Sequence, residues 1–128
     1  TITSESRLEK GVEKQVEIFG EAMRNSYQEG PEDIRHINKW LANTFGDYYT
    51  RKGLSVAHRE MITFCFLAAQ GGCEAQLKAH IEGNLNVGNS KQYLINIASQ
   101  CVPYIGYPRT LNALRCIQEG YTAWEAKQ

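Results

Sequence analysis

Apolar residues recur every three or four positions along most of this chain, and that spacing constrains the fold more than any other feature. It places them on one side of an α-helix, whereas a half-buried strand would need strict alternation of apolar and polar residues. About six segments carry the helical pattern, with glycine, proline or serine at the breaks between them. We find no persuasive strand, internal repeat or low-complexity tract in the sequence. The pattern therefore predicts an all-α fold of about six helices.

The two N-terminal helices are predicted on either side of the loop QEGPED. Pro31 suits the start of the second helix, where a backbone N–H has no partner within the helix. Each helix has an apolar stripe that we expect to face the core. The stripes are Leu8, Val12, Val16, Phe19 and Met23 in the first helix, and Ile34, Ile37, Leu41 and Phe45, with Trp40 beside them, in the second.

The middle of the chain predicts an αα-hairpin. The segment AHREMITFCFLAA forms its first helix, QGG at 70–72 forms the turn, and a second helix runs from about Cys73 to Leu85. After Glu60 the first of these helices is apolar on nearly every side, so it must be covered on most of them. A chain of 128 residues has difficulty doing that as a monomer, which favours a homo-oligomer.

The last two helices follow the loop NVGNS. Ser90 is expected to cap the fifth helix, Pro103 to end or kink it, and Pro108 to lie near the start of the sixth. The stripes expected to face inward are Leu94, Ile97, Ala98 and Cys101 in the fifth helix, and Leu111, Leu114, Ile117, Tyr121 and Trp124 in the sixth.

Length and composition bound the class of protein. A length of 128 residues favours a single domain over residues 1–128. The net charge is zero and no basic stripe suggests a nucleic acid as partner. No apolar run reaches the length of a membrane span, and TITSESRLEKG lacks the pattern of a signal peptide. The four cysteines are spread through apolar segments, as reduced core thiols of a cytoplasmic protein would be.

A candidate acid–base pair lies in the hairpin. Seven helical residues turn about 700°, so Cys73 and His80 point nearly the same way, roughly 10 Å apart along the axis. His80 lies on the inward face, where an imidazole needs a hydrogen-bond partner or a task. Glu60 also projects from an apolar face, and in an antiparallel hairpin it approaches the turn from His80 to Asn84. A carboxylate beside a buried imidazole fixes its tautomer, as a general acid requires.

Each of these residues also has a purely structural interpretation. An inward histidine is often only a satisfied core residue, and a glutamate near a helix start gains from the helix dipole. A cysteine at a helix N-terminus favours the thiolate, but a small apolar cysteine is equally ordinary there. Because His80 has no second ligand three or four residues away and Cys73 is about two turns distant, we expect no bound metal.

Four stretches carry a family resemblance: RKGLSVAHRE, which opens an apolar helix, LKAHI, GNLNVGNS and PYIGYPRTLNAL. In this order and spacing, which covers about half of the chain, they resemble the carboxymuconolactone decarboxylase family, which also contains the alkyl hydroperoxidase D (AhpD) proteins. The resemblance implies an all-α, AhpD-like helical bundle with a central αα-hairpin. It also implies assembly into homo-oligomers, as trimers or hexamers.

The family divides by its cysteines. AhpD-like members carry Cys-x-x-Cys-x-x-x-His and reduce peroxides or disulfides through a thiol relay. In this sequence Cys73 and His80 occupy the outer positions of that motif, and Gln76 stands where the second cysteine would be. A thiolate at Cys73 therefore lacks its resolving partner, although a one-cysteine reaction with an outside thiol stays open. The decarboxylase branch lacks the cysteine pair and retains the histidine.

Three functions are consistent with this resemblance. The first, which we prefer, is a cofactor-free lyase that decarboxylates a small lactone carboxylic acid in aromatic-compound catabolism, with His80 as proton donor and Glu60 as its partner. Arg51 or Arg109 would hold a substrate carboxylate as a bidentate fork. Gln76 and Asn84 complete the predicted substrate-binding set. The second function is a thiol-dependent peroxidase or disulfide reductase that uses Cys73, and the third is a non-catalytic ligand-binding protein.

Overall fold

The computed structural model describes residues 2–128, which form α-helices joined by short turns. The helices are α1 Arg7–Phe19, α2 Arg35–Tyr49, α3 Val56–Gln70, α4 Glu74–Asn86, α5 Lys91–Ile105 and α6 Tyr107–Ala126. Two 3₁₀ turns, Glu21–Met23 and Ser26–Gln28, lie between α1 and α2. The range 2–128 contains no β-strand. The predicted all-α class with about six helices is confirmed.

The described chain divides into two compact units. The N-terminal unit ends at Ser55, and the C-terminal unit comprises Val56–Gln128. The single domain expected over residues 1–128 stays a prediction. Within residues 2–128, no helix combines the length and the apolar character that crossing a membrane requires.

In the N-terminal unit, α1 and α2 pack through small residues. A Cβ added at Gly11 would overlap the carbonyl oxygen of Ala42, and one at Gly46 would overlap that of Arg7. The two backbones therefore approach more closely than larger side chains would allow. Gly20, at φ 98°, ends α1, so Met23 lies beyond the helix whose stripe it was predicted to extend.

The structure corrects the predicted apolar stripe of α2, most of which does not face the core. Of its four residues only Phe45, 4% exposed, is buried, because α1 packs against the side of α2 that carries Ala42 and Gly46. The other three are substantially exposed, as is the neighbouring tryptophan: Ile34 50%, Ile37 54%, Leu41 39% and Trp40 64%. In α1 the buried line likewise runs through Val12, Gln15 and Ile18 rather than through Val16 and Phe19.

In the C-terminal unit, α3 and α4 form the predicted αα-hairpin, and α6 packs on both α4 and α5. The turn between α3 and α4 uses Gly71 and Gly72, at φ 70° and 72°, a conformation that other residues adopt at a cost. The buried apolar core is Phe64, Ala68, Leu77, Ile81, Leu85, Leu94, Ala98, Ala113, Cys116 and Ile117. On α3, Phe66 is 71% exposed, so this unit leaves one side of that helix uncovered.

The ends of α5 are close to those predicted from the sequence. Its first turn is capped by the Ser90 hydroxyl, which accepts a hydrogen bond from the Tyr93 N–H at 3.0 Å. The helix does not end at Pro103 but continues to Ile105, and Gly106, at φ 88°, separates it from α6. Proline is tolerated this near the end because it removes only one helical hydrogen bond.

The inward face of α6 differs from the predicted stripe. Ile117 is buried as expected, whereas Leu111 is 45% exposed. The buried face consists mainly of smaller residues: Thr110, Ala113, Cys116, Ile117 and Gly120. A Cβ at Gly120 would lie 2.8 Å from a methyl carbon of Ile81, so α6 approaches α4 closely at this point.

Candidate functional site

The hairpin brings Glu60 and His80 into direct contact. Glu60 lies near the start of α3 and His80 at the middle of α4, and the two helices run antiparallel from the turn at Gly71. His80 Nδ1 is 2.7 Å from Glu60 Oε1. The Glu60 side chain is fully buried, whereas the His80 side chain is 17% exposed. The contact expected from helix geometry is therefore present, and the catalytic roles of the two residues stay predictions.

The chemistry of this contact assigns a role to each ring nitrogen. An ionised carboxylate has no proton to donate, so Nδ1 of His80 donates its N–H to Glu60. Nε2 is then the ring nitrogen at which a transferable proton is gained or lost. The buried partner holds the ring in one orientation, and part of the His80 side chain is exposed to solvent. The pair has the arrangement that a general acid or base requires.

Asn84 lies one helical turn after His80 and is fully buried. Its Nδ2 donates to the backbone carbonyls of Glu60, at 3.0 Å, and of His80, at 2.7 Å. Its Oδ1 accepts a hydrogen bond from Asn89 at 2.8 Å. The predicted role of Asn84 in substrate binding stays a prediction, but these contacts use its amide for bonds within the protein.

Cys73 occupies the N-cap position of α4, two turns before His80. It is half-buried, and its thiol donates to the carbonyl of Leu67 at 3.4 Å. Gln76, at the position of the missing second cysteine, is exposed one turn further along. The structure thus places Cys73 at the turn of the hairpin, roughly 10 Å from His80 along the helix axis.

Two other cysteines, Cys65 and Cys116, have surroundings that oppose ionisation. Burial raises the pKa of Cys65 to about 12, and the neighbouring Cys101 contributes through its charge and a hydrogen bond. Burial also raises the pKa of Cys116. Since the thiolate is the reactive form, Cys65 and Cys116 are poor nucleophiles near neutral pH. All four cysteines are free thiols.

Comparison with known proteins places this arrangement in a family. Residues 36–119, more than half of the chain, match the carboxymuconolactone decarboxylase family. The chain belongs to this family. It is also 28% identical over 120 residues to the 4-carboxymuconolactone decarboxylase of Acinetobacter baylyi, an alignment that covers 92% of this chain and 89% of that relative. Both findings support a decarboxylase-like function at the level of the family, as the resemblance implied.

The predicted arginines of this carboxymuconolactone decarboxylase family member lie in different units. Arg109, in the first turn of α6, is exposed and lies beside Gly71, where an added Cβ would be 3.2 Å from its Nε. It therefore flanks the hairpin turn near Cys73. Arg51 is exposed and belongs to the N-terminal unit. Substrate binding by either arginine stays a prediction.

The residue that sequence reasoning missed is Asn89. In the sequence NVGNS is only the loop before the fifth helix, yet Asn89 Nδ2 donates to Asn84 Oδ1 and, at 2.9 Å, to the carbonyl of Ala57. A weak signal was present, because Asn89 follows Gly88, which can turn the chain back toward the helix end. The sequence did not reveal that the turn would carry this side chain to the start of α3.

Proposed function

We propose that this protein is a cofactor-free lyase that decarboxylates a small lactone carboxylic acid of the γ-carboxymuconolactone type, in aromatic-compound catabolism. The observation that carries the proposal is the 2.7 Å contact between His80 and Glu60. One partner is fully buried and the other is partly exposed, so the carboxylate orients a ring that a small molecule can reach. The name of the Acinetobacter baylyi relative supports the substrate class.

The proposed reaction needs one well-placed proton. The bond between the ring carbon and the carboxylate breaks and releases CO2, and its electron pair passes through the conjugated alkene into the lactone carbonyl. The resulting oxyanion collapses as Nε2 of protonated His80 delivers its proton to carbon, which gives the enol-lactone. Neutral His80 then recovers a proton from water. The departing carboxylate supplies all the electrons, so the step requires no external oxidant.

A second substrate carboxylate needs a cationic partner. A guanidinium matches a carboxylate with two parallel hydrogen bonds, and Arg109 and Arg51 are both exposed. Arg109 is the stronger candidate within the C-terminal unit, because it lies beside the turn of the same hairpin that carries His80. In this proposal the arginine fixes the substrate and His80 performs the proton transfer.

The proposal is tested by incubating the purified protein with γ-carboxymuconolactone. We expect release of one CO2 for each enol-lactone formed. Gas measurement quantifies the CO2, and ultraviolet absorbance quantifies the enol-lactone. Lactone binding detected by calorimetry without CO2 release would support the non-catalytic ligand-binding alternative. Consumption of an organic hydroperoxide in the presence of a thiol, with no CO2 release from lactone, would support the thiol-dependent alternative.

Replacing Cys73 by serine separates the lyase from the thiol-dependent peroxidase. The substitution exchanges one small polar atom for another at the N-cap of α4, where serine is a favourable residue. We expect the rate of CO2 release to stay within about twofold of wild type, because the proposed proton transfer does not involve sulfur. A Cys73→Ser variant that loses lactone decarboxylation would contradict the proposed division of roles.

We further propose that copies of this chain associate as a trimer or hexamer, partly through the exposed stripe of α2. Ile37 and Leu41 lie on one face of that helix, with the N-cap residue Ile34 before them and Trp40 beside them, and an uncovered apolar face of this kind marks an association surface. Ile37→Glu is expected to shift the sedimentation coefficient toward smaller species. Lys39→Glu, also exposed on α2, is the matched control. If the two variants have equal sedimentation coefficients, the apolar stripe of α2 is not part of the interface.

A further inference from the structure

Two asparagines connect the backbones that carry Glu60 and His80. Asn84 is fully buried, and its two N–H groups reach the carbonyl oxygens of Glu60 and His80 at 3.0 and 2.7 Å. A buried amide costs free energy unless it is hydrogen-bonded, and in this case each N–H has a partner. The partners are the main-chain groups of the two residues whose side chains form the acid–base pair.

Asn89 supports this arrangement from the loop after α4. Its Nδ2 donates to Oδ1 of Asn84 at 2.8 Å and to the carbonyl of Ala57 at 2.9 Å. Its backbone N–H donates to the carbonyl of Asn84 at 2.9 Å. Asn89 therefore joins the first turn of α3 to the last turn of α4, one turn away from Glu60.

These bonds set how α3 lies along α4. Apolar contacts are non-directional and tolerate small sliding movements of one helix along another. Each hydrogen bond of a side-chain amide, by contrast, fixes the distance between its donor and its acceptor to within a few tenths of an ångström. The Nδ1–Oε1 distance of 2.7 Å depends on the same register, since the two side chains project from opposite helices. A shift of about 1 Å would break a hydrogen bond of that length.

We propose that Asn84, supported by Asn89, is a positioning residue that fixes the register of α3 on α4 and thereby holds His80 against Glu60. In this proposal neither asparagine contacts substrate, in contrast to the substrate-binding role that the sequence predicts for Asn84. The catalytic consequence rests on the proposed lyase function, whereas the structural consequence for the imidazole does not. Asn84 therefore acts through His80 rather than on the reacting atoms.

The decisive measurement is the rate of hydrogen exchange of the His80 Nδ1 proton. NMR of protein labelled with 15N-histidine monitors this exchange, and the His80→Gln variant assigns the His80 signal. The measurement requires no substrate, so it tests the positioning even if the protein proves not to be a lyase. In the full-length protein, Asn84→Leu and Asn89→Ala are each expected to raise the exchange rate at least tenfold. With lactone, kcat should fall about tenfold while KM changes little, because misplacement affects the chemical step.

Asn86→Ala is the matched control. Asn86 lies on the same helix and accepts a hydrogen bond from Trp124 at 2.7 Å, so its replacement also removes an amide contact. We expect wild-type exchange of the His80 ring proton in this variant. Unchanged exchange in folded Asn89→Ala would overturn the proposal, as would equal acceleration in all three variants. If Asn84→Leu unfolds, Asn89→Ala alone decides, because Asn89 is only half-buried.

Discussion

Replacing His80 by alanine is expected to lower kcat for lactone decarboxylation about a thousandfold, the midpoint of what a positioned general acid contributes. The variant loses the imidazole that lies 2.7 Å from Glu60 Oε1, and water must then protonate the carbon. KM should change little, because the imidazole acts in the transition state more than in substrate binding. Steady-state CO2 release at saturating lactone measures the effect.

His36→Ala provides the control for this experiment. His36 is exposed on α2, so its loss should leave both activity and thermal unfolding near wild type. If His80→Ala retains wild-type kcat, another group donates the proton. If it has lost its cooperative unfolding by circular dichroism, His80 serves the core rather than catalysis. The lyase proposal predicts a folded protein with an impaired chemical step.

The Glu60–His80 contact could be predicted from the sequence because helix geometry alone determines most of it. Once α3 and α4 are recognised as helices, the phase of each residue follows from 3.6 residues per turn. The glycine turn at Gly71 and Gly72 is too short for anything but an antiparallel return. Glu60, near the start of α3, then approaches the turn from His80 to Asn84, and the structure supplies the side-chain contact with His80 at 2.7 Å.

The packing of α2 could not be predicted in the same way. The sequence shows an apolar stripe through Ile34, Ile37 and Leu41, and a stripe normally faces the core. The structure packs α1 against Ala42 and Gly46 instead, because small residues let two helix backbones approach closely. Which side of a helix receives a partner depends on the shape of that partner, and hydrophobic periodicity carries no information about shape. Leu111 of α6 is exposed for the same reason, because α6 buries a side that carries smaller residues.

The asparagines show a different limit. The phase of the buried Asn84 follows from that of His80, which lies one helical turn earlier on α4. Its partners did not follow, because one of them, Asn89, lies in a loop whose path depends on the positive φ of Gly88. A side-chain amide can bond to any nearby carbonyl or amide, so its partners become known only when the loop is placed.

Glu60→Gln tests the second half of the pair and is expected to lower kcat about a hundredfold. Glutamine has nearly the volume of glutamate, so the fully buried site remains filled. Its amide has no charge to stabilise the protonated ring, and its NH2 group can donate to Nδ1 and thereby favour the wrong tautomer. The change should appear in kcat, measured by CO2 release, and in the 15N chemical shifts of the His80 ring.

Glu82→Gln and Glu60→Ala separate this electrostatic effect from loss of stability. Glu82 pairs with the exposed Lys127 at 2.7 Å, so its neutralisation should leave kcat unchanged and alter the free energy of unfolding by less than about 1 kcal/mol. Glu60→Ala leaves a cavity and removes the carboxylate that contacts His80 Nδ1, which should cost about 3 kcal/mol in urea unfolding. A Glu60→Gln protein with normal stability and normal kcat would show that the carboxylate charge plays no part in the reaction. If the carboxylate serves catalysis, Glu60→Gln instead remains stable while kcat falls, since the glutamine preserves the packing and removes only the charge.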